Sequence, residues 1–241
     1  MCTVTYIPKQ DGFFFTSNRD EQPTRETISP AYYNEQGVNL FYPKDKIAGG
    51  TWIGLSENNR LVCLLNGGFV YHNPLTKYPK SRGVVVKTIL MSANLLEVLD
   101  NIDLMGVAPF TLIVLDWEEQ TKMYELVWCR EQKHIRKLDV GESYIWSSST
   151  LYNEEMKADR NLWFKEQILS RLEITQDTVI AFHQNEVLGT LETAPKMKRD
   201  KVETISTTQV SKKKDVLGLK YYDYTKDIVQ VYERVFSEVK L

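Results

Sequence analysis

The chain opens with residues 2–7, Cys-Thr-Val-Thr-Tyr-Ile, and continues after a turn with residues 13–17, Phe-Phe-Phe-Thr-Ser. Cys2, Val4 and Tyr6 would lie on one face of the first stretch, and Thr3, Thr5 and Ile7 on the other. This is the two-residue period of a strand. Pro8 ends this stretch, and residues 9–12, Lys-Gln-Asp-Gly, form a turn cluster before the aromatic stretch. The two stretches therefore predict an opening β-hairpin, which ends at the polar residues 18–23.

Short strand patterns and a few helical patterns follow in an order that is not a strict βαβα alternation. The sequence predicts largely antiparallel sheets covered by helices, an α+β fold, with residues 24–49 as a polar loop. Residues 227–235 are ambiguous between strand and helix. Strands are expected at 50–55, 60–65, 110–117, 123–129, 134–140, 144–147, 202–210 and 216–224. Helices are expected at 84–102 (with Asn94 as a break), 154–172 and 177–186.

Composition excludes several functional classes. The 241 residues carry 30 basic and 32 acidic side chains, a net charge of −2, which argues against bulk electrostatic binding of nucleic acid. Three cysteines form no disulfide framework and are typical of a reducing compartment. The longest apolar run is far shorter than the roughly 20 residues of a spanning helix, and the amino terminus does not resemble an export signal. We expect a cytoplasmic protein without an integral membrane segment.

Cys2 stands directly after Met1. A small residue at this position allows the initiator methionine to be removed, which would leave Cys2 as the amino terminus. That residue would then carry both a thiol nucleophile and an α-amine with a pKa of about 7.7–8.0, able to take the thiol proton. This is the N-terminal form of the nucleophile–base pair. The alternative is a small buried cysteine on the first strand.

The polar tetrapeptide Asn18-Arg19-Asp20-Glu21 follows the aromatic strand directly. In an opening hairpin, Arg19 and Asp20 would lie near Cys2. A guanidinium that lowered the thiol pKa by two units would raise the ionised fraction at pH 7 from about 3% to about 75%. Asp20 could hold the α-ammonium or orient Arg19. The alternative is an exposed turn with a weak surface ion pair.

Glycine-rich stretches lie at residues 49–54 and 66–68 and lack the spacing of a phosphate or dinucleotide loop. Asn66-Gly67 is either a two-residue hairpin turn or the end of a strand where Asn66 donates to an oxyanion, with Trp52 as a pocket wall. Ser148 lies in a serine triplet that either caps the following helix or faces a site. His72, His134 and His183 show no metal-binding spacing.

Four motifs in this order are specific together: Met1-Cys2-Thr3, residues 18–21, residues 49–54 (Gly-Gly-Thr-Trp-Ile-Gly) and residues 65–68 (Leu-Asn-Gly-Gly). The chain resembles the NRDE family, named for the tetrapeptide, which includes the transport and Golgi organisation protein 2 proteins. The likeness is clearest over residues 1–85, including Ser81-Arg82-Gly83. It continues more weakly through residues 144–148 and 202–210.

The resemblance implies a four-layer αββα sandwich, similar to choloylglycine hydrolase and penicillin V acylase, in a single N-terminal-nucleophile hydrolase-like domain over residues 1–241. It implies Cys2 as nucleophile, Arg19 and Asp20 as its charged neighbours and Asn66 as oxyanion donor. Two departures stand out: Ser148 replaces a further asparagine of the acylases, and residues 203–206, Glu-Thr-Ile-Ser, lack their late arginine. The residues expected to contact substrate are Asn18, Trp52, Gly67 and Ser148.

The predicted function is hydrolysis of a linear amide or acyl bond in a small or lipid-like substrate, with neither metal nor cofactor. The alternative is a non-catalytic carrier or chaperone for a hydrophobic ligand such as haem or an acyl chain, since members of the family have been linked to haem trafficking and acyl-lipid handling. The 13 Tyr, 9 Phe and 5 Trp could line an apolar pocket for that ligand. The sequence leaves the oligomeric state open.

Overall fold

The computed structural model describes residues 3–71 and 78–236. In chain order the strands are β1 (Thr3–Lys9), β2 (Gly12–Glu21), β3 (Thr27–Glu35), β4 (Val38–Asp45), β5 (Ile53–Ser56), β6 (Arg60–Asn66), β7 (Phe110–Asp116), β8 (Lys122–Trp128), β9 (Lys133–Leu138), β10 (Tyr144–Ser147), β11 (Glu203–Lys213), β12 (Val216–Asp223) and β13 (Ile228–Tyr232). The helices are α1 (Arg82–Met91), α2 (Leu95–Asn101), α3 (Glu154–Phe164) and α4 (Gln176–His183), and a π-helical turn, Lys165–Leu169, continues α3.

The chain divides into two compact units. The first unit comprises Met1–Thr24, Gly141–Ser147 and Leu151–Leu241, and the second comprises Arg25–Val140 and Ser148–Thr150. Each unit contains one antiparallel sheet and its own helices.

The sheet of the first unit has the strand order β10-β1-β2-β11-β12-β13. The opening hairpin is confirmed, with Val4 paired to Ser17 and Lys9 to Gly12. Helices α3 and α4 pack on one face of this sheet. Their core contains Ile7 of β1, Phe164 and Ile168 of the α3 region, and Val179 and Phe182 of α4.

The helix at 154–172 exposes a different face from the one its apolar residues suggested. The apolar residues of this stretch, Met156, Leu162, Trp163, Ile168 and Leu172, predict a buried stripe, but Leu162 and Leu172 are exposed. The buried positions are instead 160, 164 and 168, spaced by four residues, which places Arg160 between the helix and the sheet. The pattern of apolar residues did not predict this face because one of its buried positions is a charged residue, Arg160.

The sheet of the second unit has the order β3-β4-β5-β6-β7-β8-β9, with α1 packed on its central strands. The break expected at Asn94 is confirmed, because its side chain accepts a hydrogen bond from Glu97 N and begins α2. The loop expected over residues 24–49 is wrong, since it contains the β3–β4 hairpin. Pro30 lies where the β3–β4 register shifts, between Ile28 and Ala31, a place where a missing N–H does not interrupt the ladder.

No helix among residues 3–71 and 78–236 is long and apolar enough to cross a membrane.

Candidate active site

Cys2, the predicted nucleophile, lies outside the described residues, as does His72. The first described residue is Thr3, at the start of β1, where it pairs with Ser147 of β10. On its other side β1 pairs with β2, whose last residues carry Asn18, Arg19 and Asp20. The hairpin therefore places the tetrapeptide on the strand next to the one that begins with Thr3.

Arg19 is a strand residue with a buried side chain, only 2% exposed. It pairs with Ser206 of β11, and Ser206 pairs in turn with Asp223 of β12, so all three lie on one face of the sheet. The ladder shifts register between Thr204 and Ser206, which changes the face that β11 presents beside Arg19. The expectation of an exposed turn is therefore wrong at Arg19.

Asp20 points to the opposite face from Arg19 and is equally buried, at 3% exposure. Its Oδ2 accepts a 2.6 Å hydrogen bond from the Tyr152 hydroxyl, and its Oδ1 accepts one of 2.6 Å from Thr204 Oγ1. Charge-assisted hydrogen bonds of this length are stronger than neutral ones. The carboxylate is thus fixed by residues from a loop and from β11.

Asn18 belongs to a buried network with His183 of α4. Its side-chain nitrogen donates to His183 O at 3.0 Å and to Pro195 O at 2.8 Å. Its oxygen accepts from Thr207 Oγ1 at 2.9 Å and lies 3.0 Å from His183 Nδ1. Because both amide protons are used, His183 Nδ1 carries the proton, and Nε2 accepts from Thr5 Oγ1 at 2.8 Å. Burial, reinforced by the nearby charge of Arg160, lowers the pKa of His183 to about 3.

Arg160 is a second buried cation of the first unit, and it lies on the helix-packed face of the sheet. It is 0% exposed, and it donates to Thr3 Oγ1, to Thr193 O at 2.9 Å and to Ala194 O at 2.6 Å. Its guanidinium carbon lies 3.7 Å from the centre of the Tyr152 ring, a cation–π contact. Thr193 and Ala194 are therefore held through their carbonyl groups.

In the second unit, Asn66 is the last residue of β6, and the carbonyl of Asn66 accepts a 2.6 Å hydrogen bond from Ser148 Oγ. Gly67 has a φ of +87°, and a Cβ at that position would lie 2.1 Å from Ser149 Oγ. Asn66 pairs with Phe110 of β7, so the hairpin turn considered for Asn66-Gly67 is wrong. The side-chain oxygen of Asn66 is buried and has no hydrogen-bond partner among the described residues.

Trp52 is buried and precedes β5, where the backbone carbonyl of Trp52 accepts a 2.7 Å hydrogen bond from Leu64 N. Gly50, two residues before Trp52, allows a close approach of two backbone segments, since a Cβ on Gly50 would lie 3.1 Å from Gly83 Cα. The cap considered for the serine triplet is wrong, because Asn153 caps α3 by accepting from Met156 N.

The structure thus brings Asn18, Arg19 and Asp20 together in the first unit, and Asn66, Gly67 and Ser148 together in the second. Among the described residues, no three His, Cys, Asp or Glu side chains are grouped as a metal ion requires. Some side chains of the first unit that bond to Asn18, Asp20 or Thr3 were not predicted from the sequence, namely Tyr152, Arg160, Thr204 and Thr207. One available signal was the spacing of Arg160 from Phe164 and Ile168 in a helix.

A family model described as Transport and Golgi organisation 2 matches residues 1–228. The chain belongs to the Transport and Golgi organisation 2 family. The predicted resemblance is confirmed by this match. A sequence comparison of this Transport and Golgi organisation 2 family member with curated proteins finds no match.

Solved structures with similar folds include a hydrolase, an amidase and an acylase. A variant of the conjugated bile acid hydrolase from Clostridium perfringens gives a TM-score of 0.58 at 12% identity, covering 96% of this chain and 92% of that chain. An N-acylethanolamine-hydrolyzing acid amidase ortholog from Caenorhabditis elegans gives 0.57 at 14% identity, covering 86% and 92%. Penicillin V acylase from Agrobacterium tumefaciens gives 0.57 at 10% identity, covering 96% and 85%.

At such identities the likeness establishes the fold of this Transport and Golgi organisation 2 family member. The predicted fold class, an α+β sandwich of largely antiparallel sheets like that of N-terminal-nucleophile hydrolases, is confirmed.

Proposed function

We propose that this protein is a cysteine N-terminal-nucleophile hydrolase that cleaves a linear amide or acyl bond in a small or lipid-like substrate. The observation that carries the proposal is the burial of both Arg19 and Asp20 at the end of the strand beside β1. Taking two charges out of water costs several kcal/mol per ion, which an exposed turn would avoid. The similarity of the fold to that of amide hydrolases supports the same function.

The strand register supports a role for Arg19 beside the nucleophile. Val4 pairs with Ser17, Arg19 lies two residues after Ser17, and Cys2 lies two residues before Val4. Partner positions in an antiparallel pair move in opposite directions along the two strands, so these equal spacings favour Arg19 as the neighbour of the Cys2 thiol. A buried guanidinium there would stabilise the thiolate.

The position of Asp20 favours one of its two expected roles. Neighbouring residues of a strand point to opposite faces, so the Asp20 side chain is directed away from that of Arg19. We propose that Asp20 holds the α-ammonium group of Cys2, while Tyr152 and Thr204 fix its two oxygen atoms.

The proposed reaction begins after removal of Met1. The α-amine of Cys2 takes the thiol proton, and the sulfur attacks the carbonyl carbon to form a C–S bond and a tetrahedral oxyanion. Collapse breaks the bond to the leaving amine or alcohol, which receives the proton from the α-ammonium. Water then adds to the thioester, releases the carboxylic acid and restores the thiol.

Asn66 is proposed as an oxyanion donor, and the support is local to the second unit. The strand end is held by the Ser148 hydrogen bond to the Asn66 backbone carbonyl, and the proposed donor to the oxyanion is the side-chain nitrogen of Asn66. An amide held at a strand end is the preorganised donor that oxyanion stabilisation needs. Contact of Asn18, Trp52, Gly67 and Ser148 with substrate likewise remains a proposal, and the bonds of Asn18 to His183 favour a positioning role for that residue.

The test is intact mass spectrometry followed by acyl-enzyme trapping. We expect the mature protein to lack Met1 and to gain the mass of one acyl group on its amino-terminal peptide when mixed with linear amide substrates. An N-acylethanolamine, a bile-acid conjugate and penicillin V form a suitable panel. Cys2→Ala should abolish the adduct, whereas Cys129→Ser, at a partly exposed cysteine, should retain it.

Retention of Met1, or an adduct that survives Cys2→Ala, would refute the proposal. Titration of the same Cys2→Ala protein with haem and with an acyl chain tests the carrier alternative. Tight binding in that variant, with no turnover by the parent protein, would favour the carrier.

A further inference from the structure

The peptide group that joins Asn66 to Gly67, at the end of β6, is held at both of its polar atoms. Its oxygen is the Asn66 carbonyl oxygen, which accepts the 2.6 Å hydrogen bond from Ser148 Oγ. Its N–H is that of Gly67, which donates to the Pro109 carbonyl at 3.0 Å. The next carbonyl, that of Gly67, accepts a 3.0 Å bond from Thr111 Oγ1. Because a peptide group is planar and rigid, these bonds fix the backbone from which the Asn66 side chain projects.

The direction of the Ser148 hydrogen bond is set by its partner. A carbonyl oxygen carries no proton, so the Ser148 hydroxyl is the donor, and its single proton is used on the Asn66 carbonyl. The Ser148 oxygen also lies 3.0 Å from Thr150 Oγ1. Since the Ser148 proton is already used, the Thr150 hydroxyl is the donor of this second bond. The two hydroxyls therefore form a relay that runs from Thr150 through Ser148 to the backbone of Asn66.

A count of the hydrogen-bond donors at this strand end separates Asn66 from its neighbours. The Ser148 hydroxyl and the Gly67 N–H both donate within the protein, so neither is left to donate to an oxyanion. The side chain of Asn66 makes no hydrogen bond to any other residue among 3–71 and 78–236, which leaves its two amide protons for a ligand. Asn66 is therefore the side chain that the strand end offers as a donor.

We infer that Ser148 and Thr150 are positioning residues for Asn66, which act through its backbone carbonyl and donate no hydrogen bond to the substrate. This inference rests on the proposed function, because an oxyanion donor matters only where an oxyanion forms. Such a donor is effective when it is held in place before the charge develops, so that the transition state requires no reorganisation. Hydrogen bonds in a chain polarise one another, so the Thr150 bond strengthens the bond from Ser148.

The kinetic test uses the panel of linear amides named above and measures kcat and KM separately. Ser148→Ala should lower kcat by roughly tenfold and change KM by less than about twofold, because a misplaced oxyanion donor affects the transition state more than the bound substrate. Thr150→Val should lower kcat by about threefold, and Thr150→Ser, which keeps the hydroxyl, should retain the parent value. The matched control is Ser92→Ala, which removes a serine hydroxyl that also donates to a carbonyl and should leave both constants unchanged.

A second comparison separates positioning from a general loss of stability. In an Asn66→Ala background, Ser148→Ala should change kcat by less than about twofold, because the group that it positions is already absent. A purely structural role would instead lower kcat by the same factor in both backgrounds, together with the melting temperature. Equal factors in the two backgrounds would therefore overturn the inference.

A measurement without substrate keeps the relay testable if no amide is turned over. The NMR order parameter of the Asn66 side-chain amide should fall in Ser148→Ala and in Thr150→Val, and should stay at the parent value in Ser92→Ala. An amide that stays equally ordered in the first two variants overturns the relay and leaves the proposed function intact. A fall in order in a protein that hydrolyses no member of the panel supports the relay and counts against the proposed function alone.

Discussion

The Tyr152 hydroxyl donates a 2.6 Å hydrogen bond to the buried carboxylate of Asp20, and the ring of the same tyrosine packs against the guanidinium of Arg160. One side chain thus joins a buried anion to a buried cation that do not form an ion pair with each other. Tyr152 lies in the loop before α3, while Asp20 ends β2, so the bond joins segments 132 residues apart. This arrangement makes the stability of the candidate site depend on residues remote from the tetrapeptide.

Tyr152→Phe removes the hydroxyl and keeps the ring on Arg160. We expect the free energy of unfolding to fall by about 1.5–3 kcal/mol, the range for hydrogen bonds to charged groups, because Asp20 stays buried with one partner fewer. Urea denaturation followed by circular dichroism measures the change. Tyr32→Phe, at an exposed tyrosine in β3, should change stability by less than about 0.5 kcal/mol. Equal losses of unfolding free energy in the two variants would show that the Tyr152 hydroxyl does not stabilise the buried Asp20.

Thr204 bonds the other oxygen of the same carboxylate, so Thr204→Val and Tyr152→Phe should not be additive. Residues in one hydrogen-bond network couple by about 0.5–3 kcal/mol in a double-mutant cycle. Thr204→Val also removes the acceptor for Met197 N, a cost that the cycle subtracts. The four proteins of the cycle are compared by urea denaturation, and a coupling of zero would show that the two hydroxyls act independently on Asp20.

Much of the fold could be predicted from the sequence because it depends on local patterns. The alternation along β1, the break at Asn94 and the strands β7 to β10 follow from side-chain period and capping, and these elements are present. The β3–β4 hairpin was missed because prolines and polar residues interrupt its period. A strand that tolerates Pro30 at a register shift carries a weak local signal.

The candidate site could be predicted only where its residues lie close together in the chain. Asn18, Arg19 and Asp20 are consecutive, so one motif predicted all three. Their partners Tyr152, Thr204 and His183 are distant in sequence and reach them through tertiary packing, which no local pattern encodes. Arg160 was missed because a charged residue on a helix is normally solvated, whereas here three acceptors and an aromatic ring replace the water.

His183 makes the stability of the protein depend on pH. Burial lowers the pKa of the folded state to about 3, against the ordinary value of 6.5, so the unfolded chain binds a proton that the folded chain does not. Stability therefore falls as the pH drops from 6.5 toward 3, and is fully retained above 6.5. Relative to neutral pH, this titration lowers the free energy of unfolding by about 3 kcal/mol at pH 4.5, and the loss approaches about 5 kcal/mol at still lower pH.

His183→Gln removes this titration. We expect the loss of unfolding free energy between pH 7 and 4.5 to be about 2–3 kcal/mol smaller in this variant than in the parent protein. His134→Gln, at an exposed histidine of β9, should keep the slope of the parent protein. The measurement is urea denaturation at a series of pH values, and a slope unchanged by His183→Gln would show that another group controls acid stability.

Two glycines with nearly the same backbone conformation allow the packing at the end of β6 to be measured. Gly37 has a φ of +89° and open space where a Cβ would lie, whereas Gly67 has a φ of +87° and Ser149 Oγ 2.1 Å from that position. Gly37→Ala therefore carries only the backbone strain, about 1–2 kcal/mol. Gly67→Ala carries the same strain plus overpacking, typically another 1–3 kcal/mol.

The difference between the two alanine variants isolates the contact between Gly67 and residues 149–150. Ser149→Gly in the Gly67→Ala background removes the nearest clashing atom, so it should recover part of the lost stability, limited by the 3.0 Å approach to Thr150 Cγ2. Thermal unfolding monitored by circular dichroism ranks the three proteins. Equal destabilisation by Gly37→Ala and Gly67→Ala would mean that the strand end beside Asn66 can move aside. A movable strand end would remove the preorganisation on which the proposed oxyanion-donor role of Asn66 depends.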